Sequence, residues 1–238
     1  MQKLIQLLAS NKDRGSRPKA EASGDEATVY LYDAIGYWGV EASDFVKDLK
    51  AIDAKTINLR INSPGGDVFD ARAMKVALEQ HPAKIVAHID GLAASAASFI
   101  MLAADEIRIA DGAFVMIHNA WGLAIGNAQE MRATADLLDK VDGTIVNDYV
   151  AKTGKTADEV KAWMAAETWF TSAEAVEHGF ADSIADKQKA DASAANFDLS
   201  AYRNAPKALR EPAAKTFDAM ANDRQRYEAR LGLYERAA

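Results

Sequence analysis

What most constrains this chain is a repeated exchange between two hydrophobic periods. The stretch "TINLRINS" (56–63) alternates at the spacing of a strand. "VFDARAMKVALEQ" (68–80) spaces its apolar residues as a helix does. "AKIVAHID" (83–90) reads as a buried strand. A strand, a helix and a strand in so few residues imply parallel pairing through a right-handed crossover. The same texture extends both ways. "ATVYLYDAIG" reads as a strand, and "EASDFVKDLKAI" places Phe45, Val46, Leu49 and Ile52 at helical spacing. "EIRIA" and "AFVMIHN" read as two further short strands. The fold class is therefore α/β.

Helix boundaries are written in side-chain chemistry. Asp67 can cap the helix that Pro82 stops. Asn127 with Glu130, Thr156 with Glu159, and Thr171 with Glu174 each make a reciprocal capping pair. Gly154 and Gly179 supply left-handed stops. After "AKIVAHID", Gly91 is expected to turn the chain into an alanine-rich helix, "LAASAASFIMLAAD", with Ser95 in its first turn. The polar residues 1–26 read as a flexible N-terminal arm and 27–185 as one domain. Residues 186–238 read as a small-residue linker and a charged, helical tail whose apolar positions are too sparse for a core of their own.

Composition removes several function classes. The net charge is -7, which disfavours nucleic acid. With no cysteine, disulfides, zinc-thiolate sites and a cysteine nucleophile are excluded. Four histidines at scattered spacings make no metal pattern, and no cofactor is called for. The longest apolar run, Gly91 to Ala104, falls short of the roughly 20 residues that cross a bilayer. The N-terminus lacks the apolar centre of a secretory signal, so a cytoplasmic protein without membrane contact is expected.

Four segments carry chemistry. Ser95 lies among small neighbours where unpaired backbone N–H groups gather at a helix start, a setting that stabilises a developing oxyanion. In "NSPGGDV", Gly65 and Gly66 leave backbone amides uncovered by side chains. His118 ends the apolar strand in "FVMIHN" and is the natural base for a serine. Glu167, in "AAETWFTSAEA", stands beside large aromatics, where a buried carboxylate needs a partner such as His118. Each feature alone also fits ordinary structure: a satisfied small residue, a strand-to-helix turn, a hydrogen-bonded histidine, a helix-end acid facing water.

Taken in order, "SPGG … GLAASAAS … MIH … ETWFTSAEAVEHGFAD" resembles the Clp protease proteolytic subunit and its serine peptidase family, over about Ala27 to Ile184. The resemblance is closest to the phage-encoded, Clp-like head maturation proteases. It implies a ClpP/crotonase-like fold of repeated β-β-α units with a long handle helix, here Asn127 to Thr153. It implies Ser95 as nucleophile, His118 as general base and Glu167 as the acid, where the housekeeping subunit has aspartate. By matching position Gly66 and Ala96 supply the oxyanion hole, Gly65, Gly66 and Asn119 meet the substrate, and Ser98 is a packing residue. An exposed backbone after "SPGG" and an edge strand near His118 would receive extended substrate by strand addition.

The implied partners are protein or peptide substrates, including phage scaffold and capsid proteins, in the host cytoplasm or the prohead. A homo-oligomeric ring is expected from the apolar handle. The ATPase-docking features of the housekeeping branch are missing: "MIHNAWG" lacks its Gln-Pro, so no unfoldase partner is expected. The tail would anchor the protease in an assembly or be removed by self-cleavage. The competing readings are the housekeeping subunit with its ATPase, a crotonase-fold acyl-CoA enzyme, a Ser-Lys peptidase of the signal-peptide-peptidase type, and an inactive assembly scaffold.

Overall fold

The computed structural model describes residue 11, residues 20–185 and residues 197–210. Among these residues eight strands form one sheet: β1 (Ala20–Ser23), β2 (Glu26–Leu31), β3 (Thr56–Ser63), β4 (Lys84–Ala94), β5 (Glu106–Ile109), β6 (Phe114–Ile117), β7 (Thr168–Thr171) and β8 (Ser183–Ile184). The main path runs β1-β2-β3-β4-β5-β8. β2, β3, β4 and β5 pair in parallel, as the crossover argument requires. β1 pairs antiparallel with β2, so residues 20–26, which sequence assigned to the flexible arm, form a hairpin at the edge of the sheet.

The helices are α1 (Ala42–Lys50), α2 (Val68–Glu79), α3 (Ala96–Ile100), α4 (Ala128–Thr153), α5 (Ala157–Ala166) and α6 (Ser172–Glu177). Ile57, Leu59 and Ile61 of β3 and Ile85, Ala87 and Ile89 of β4 join Phe45, Leu49, Met74 and Leu78 of α1 and α2 in one core. Each large side chain buried there stabilises the fold by about 1.5–3 kcal/mol. The alternate residues of β3 and β4 carry polar chemistry: Arg60 makes a forked pair with Asp90, at 2.6 and 2.8 Å, and Tyr32 donates to the same carboxylate.

The caps read from sequence form. Asp67 accepts from the Phe69 and Asp70 amides, all three capping boxes close, and Gly154 ends α4 in the left-handed region. The long helix α4 buries only its C-terminal half, through Ile145, Val146 and Tyr149, while Met131 and Leu137 stay exposed.

β4 departs from expectation. It does not end at Asp90; it continues through Gly91 to Ala94. Its first half pairs with β5 and its last three residues pair with β6. Gly91 is needed for a close approach rather than a turn, because a Cβ there would lie 2.9 Å from the Asn62 side-chain oxygen. β6 in turn is flanked by β4 and by antiparallel β7, so it offers no free edge over Phe114–Met116.

The chain divides into two compact units, Met1–Asn204 and Ala205–Ala238. The second is described only over residues 205–210, where Lys207–Arg210 forms a short helix, α7. Most of the expected linker and tail lies outside the described residues. Residues 197–204, however, belong to the first unit, beyond the boundary at 185 that sequence suggested.

Candidate active site

Ser95 stands between β4 and α3. It is not in the first helical turn, as composition suggested, but at the residue before it, with φ 52 and ψ −122. Only one other described non-glycine residue, Glu167, has positive φ. A serine forced into this region by a strand that turns directly into a helix has the geometry of a nucleophile elbow, which lifts the hydroxyl clear of its own backbone. The elbow is fixed from several sides. The Ser95 N–H donates to the Met116 carbonyl of β6. The Ser95 carbonyl accepts from the Ser98 N–H and, at 2.5 Å, from the Ser98 hydroxyl. Ser98 Oγ lies 2.6 Å from the buried Tyr149 hydroxyl of α4. Ser98 is thus more than filler, because it ties the elbow to the handle helix.

His118 follows β6 directly. Its Nε2 lies 2.7 Å from Ser95 Oγ. Two residues separated by 23 positions meet because β4 and β6 are paired neighbours that both end at this point. The ring loses most of its solvation there, and with no carboxylate bonded to it, burial pushes its pKa down to about 3.

Gly65 and Gly66 wrap the other side. A Cβ on Gly65 would meet the Ala94 carbonyl at 2.6 Å, Ser95 Cβ at 2.7 Å and the Ala96 nitrogen at 3.0 Å. Gly66 is bridged to Ile35 through the Gly65 carbonyl and the Asp67 N–H, which leaves the Gly66 N–H outside that bridge. Ala96 is the first residue of α3, so its N–H has no carbonyl to bond within the helix. Gly66, Ser95, Ala96 and His118 line one cavity of about 230 Å³, whose apolar wall includes Val68, Phe99 and Ile145.

Glu167 is where geometry and expectation part. It is buried, as predicted, but no hydrogen bond joins it to His118. As the left-handed C-cap of α5 it points its carboxylate at residues from much later in the chain. Oε2 accepts from the Arg203 N–H at 3.0 Å and Oε1 from the Asn204 N–H at 2.6 Å, with the Trp169 indole N–H at 3.4 Å. His118 Nδ1, the atom a triad acid would engage, accepts instead from the Trp121 indole N–H. His118 and Glu167 nevertheless face one small cavity of about 300 Å³, together with Asn119. Asn119 is exposed, lies outside the Ser95 cavity, and bonds through its N–H to the Met164 carbonyl.

Three aromatic residues at the site escaped sequence reasoning: Trp121, Tyr149 and Tyr202. Trp121 was within reach, three residues after His118 in "HNAW". Tyr149 and Tyr202 had no local signal. Tyr202 is buried, its ring edge-on to His118 at 5.5 Å and close to Trp121 and Trp169, and its hydroxyl donates to the Pro64 carbonyl. Among the described residues, no cluster of histidine, aspartate and glutamate suits a metal, and no helix is long and apolar enough to cross a membrane.

Comparison with known proteins identifies the family. A family model described as Clp protease matches residues 25–188. The ATP-dependent Clp protease proteolytic subunit 1 of Leifsonia xyli subsp. xyli is 34% identical over 139 residues, covering 57% of this chain and 71% of that protein. The same-named subunit of Mycobacterium tuberculosis is 28% identical over 165 residues, 65% of this chain and 82% of its own. Among solved structures, a ClpP1 variant from Listeria monocytogenes superposes with a TM-score of 0.60 at 22% identity, over 68% of this chain and 92% of that one, which speaks to the fold. With an α/β sheet, a strained serine elbow and a family match over more than half its length, this chain belongs to the Clp protease family of serine-type peptidases.

Proposed function

We propose that the protein is a serine endopeptidase that cleaves extended or flexible protein segments through Ser95, His118 and Glu167. The observation that carries this reading is Ser95 on a strained elbow with its hydroxyl oxygen 2.7 Å from His118 Nε2. In the reaction His118 takes the Ser95 proton as the oxygen bonds to the peptide carbonyl carbon. The carbonyl oxygen becomes the tetrahedral oxyanion, held by the Gly66 and Ala96 N–H groups, and losing one such donor removes about 3 kcal/mol of transition-state stabilisation. His118 then returns the proton to the leaving amine, and water repeats the sequence to release the acyl group. Glu167, turned toward Nδ1, would fix the tautomer and stabilise the imidazolium.

With β6 paired on both sides, an extended substrate would align on Gly65–Gly66 and on the segment Asn119–Gly122 that follows His118. The apolar wall of the Ser95 cavity favours a hydrophobic side chain next to the cleaved bond. Leu137 and Met131, exposed on α4, and Ile125 just before it support self-association, read here as a ring. The head-maturation role, with scaffold and capsid substrates, rests on motif resemblance alone. A Clp-type degradative subunit fits the names of the relatives. The chemistry at Ser95 is common to both.

The rival chemistries make different demands. A Ser-Lys peptidase needs a lysine beside Ser95. The buried Lys75 is instead paired with Glu79 and Asp148, and among the described residues no lysine lines the Ser95 cavity. A crotonase-type enzyme needs no reactive serine. Labelling with a fluorophosphonate, mapped by mass spectrometry, should mark Ser95 in the wild type and nothing in Ser95→Ala. His118→Ala should fall to near background and Glu167→Gln less far, since an orienting acid contributes less than the nucleophile. A folded wild type in which Ser95 never labels, even at long exposure, would refute the hydrolase reading.

A further inference from the structure

Resting on that reading, we infer that the segment Phe197–Asn204 is a built-in strap that keeps the protease latent by capturing its acid and locking its histidine in the wrong tautomer.

The strap is attached at both ends of the site. At its start, the buried Asn11 side chain exchanges two hydrogen bonds with the Asp198 backbone, at 3.0 and 2.7 Å. At its end, Arg203 and Asn204 present consecutive backbone N–H groups to the two oxygens of Glu167. The Asn204 amide side chain adds a 2.7 Å bond to the Ala166 carbonyl, closing the last turn of α5 from which Glu167 projects. Each oxygen of the acid therefore accepts from a strap amide. Between these anchors Tyr202 enters the cleft. Its ring lies against His118, Trp121 and Trp169, and its hydroxyl donates to Pro64, the residue that opens the Gly65–Gly66 turn.

The proton order follows from donor chemistry. An indole N–H can only donate, so His118 Nδ1, which receives it, must carry the lone pair. The neutral ring then bears its proton on Nε2 and points it at Ser95 Oγ. A general base needs the opposite: a lone pair on Nε2 to accept the serine proton. Hydrogen bonding thus runs from imidazole to serine, the reverse of catalysis. Fixing the wrong tautomer in an otherwise intact triad lowers turnover by about 10⁴-fold. Lifting the strap removes the ring that backs Trp121 and frees Glu167, which already borders the same small cavity as His118.

The test uses the full chain. Asn204→Pro deletes the N–H that holds Glu167 Oε1, and Tyr202→Ala empties the cleft. The milder Tyr202→Phe keeps the ring and loses only the hydroxyl, should the alanine variant not fold. Two readouts are taken: the rate of fluorophosphonate labelling at Ser95, and the His118 ring tautomer by ¹⁵N NMR. The strap predicts at least 10-fold faster labelling in Asn204→Pro and Tyr202→Ala, a smaller gain in Tyr202→Phe, and a change from the Nε2–H to the Nδ1–H tautomer. A synthetic peptide FDLSAYRN, residues 197–204, should slow the Asn204→Pro variant again, and the same peptide with alanine for tyrosine should not. Folded variants that keep the wild-type rate and tautomer would overturn the strap while leaving the hydrolase intact. A tautomer that switches while no form ever labels would keep the strap and sink the hydrolase.

Discussion

Gly65→Ala separates backbone strain from the architecture of the elbow. Gly65 has φ +87, where a left-handed L-residue pays about 1–2 kcal/mol. Its new methyl would stand 2.6 Å from the Ala94 carbonyl oxygen and 2.7 Å from Ser95 Cβ. Neither neighbour is the tip of a flexible side chain, so the overlap has to move backbone, and such overpacking costs about 1–3 kcal/mol more. At about 2–4 °C per kcal/mol for a chain of this size, the melting temperature should drop by roughly 10 °C. The displaced atoms are Ser95 and the Ala96 amide. A misplacement of about 1 Å at reacting atoms lowers the rate on the order of 100-fold, so Ser95 labelling should slow accordingly. Gly112→Ala is the control. Its φ is +81, nearly the same, yet nothing lies within 4 Å of its Cβ position. It should lose only the dihedral part of the stability and none of the labelling rate. Thermal denaturation by circular dichroism and timed labelling measure both. Equal melting points and equal rates for the two variants would show that Gly65 is not pressed against the elbow, and the site geometry drawn here would fail.

Ser98→Ala should lower stability by about 1–3 kcal/mol, because it strands the buried Tyr149 hydroxyl, and should slow labelling by well under the 1 Å penalty, since the Ser98 N–H still holds the Ser95 carbonyl; unchanged stability would remove Ser98 from the network. Asp90→Ala should destabilise by about 3 kcal/mol, by leaving Arg60 half-buried without its forked partner, while the labelling rate of the folded protein stays at the wild-type value; a lost rate without lost stability would contradict the placement of this pair outside the site. Stability should fall with acidification. Burial holds His118 near 3 and His88 near 4, both below the ordinary 6.5. Below about pH 6.5 the unfolded chain takes up protons that the folded one does not, so melting temperatures should decline from pH 6.5 toward 4; a flat or rising trend, with His88→Gln no different, would refute the burial of these rings.

Local chemistry made much of this legible. The caps at Asp67, Asn127, Thr156 and Thr171 are contacts between residues two or three apart, so sequence carries both partners of each. Ser95 and His118 were singled out by the order of the motifs around them and the family resemblance that order carries, since each alone also fits ordinary structure. What failed was the end of β4. Gly91 looks like a turn in one dimension and proves to be a strand residue passing close to Asn62, a neighbour on β3.

The alternation of strand and helix through the core, the boundaries set by caps and the absence of thiol chemistry were determined by the sequence itself, because each depends on nearby residues or on composition. Where Glu167 spends its charge was decided only by tertiary structure. A buried carboxylate takes the best donors that the folded chain brings to it. Here those are two backbone amides 36 and 37 positions away, which carry no side-chain signature to read.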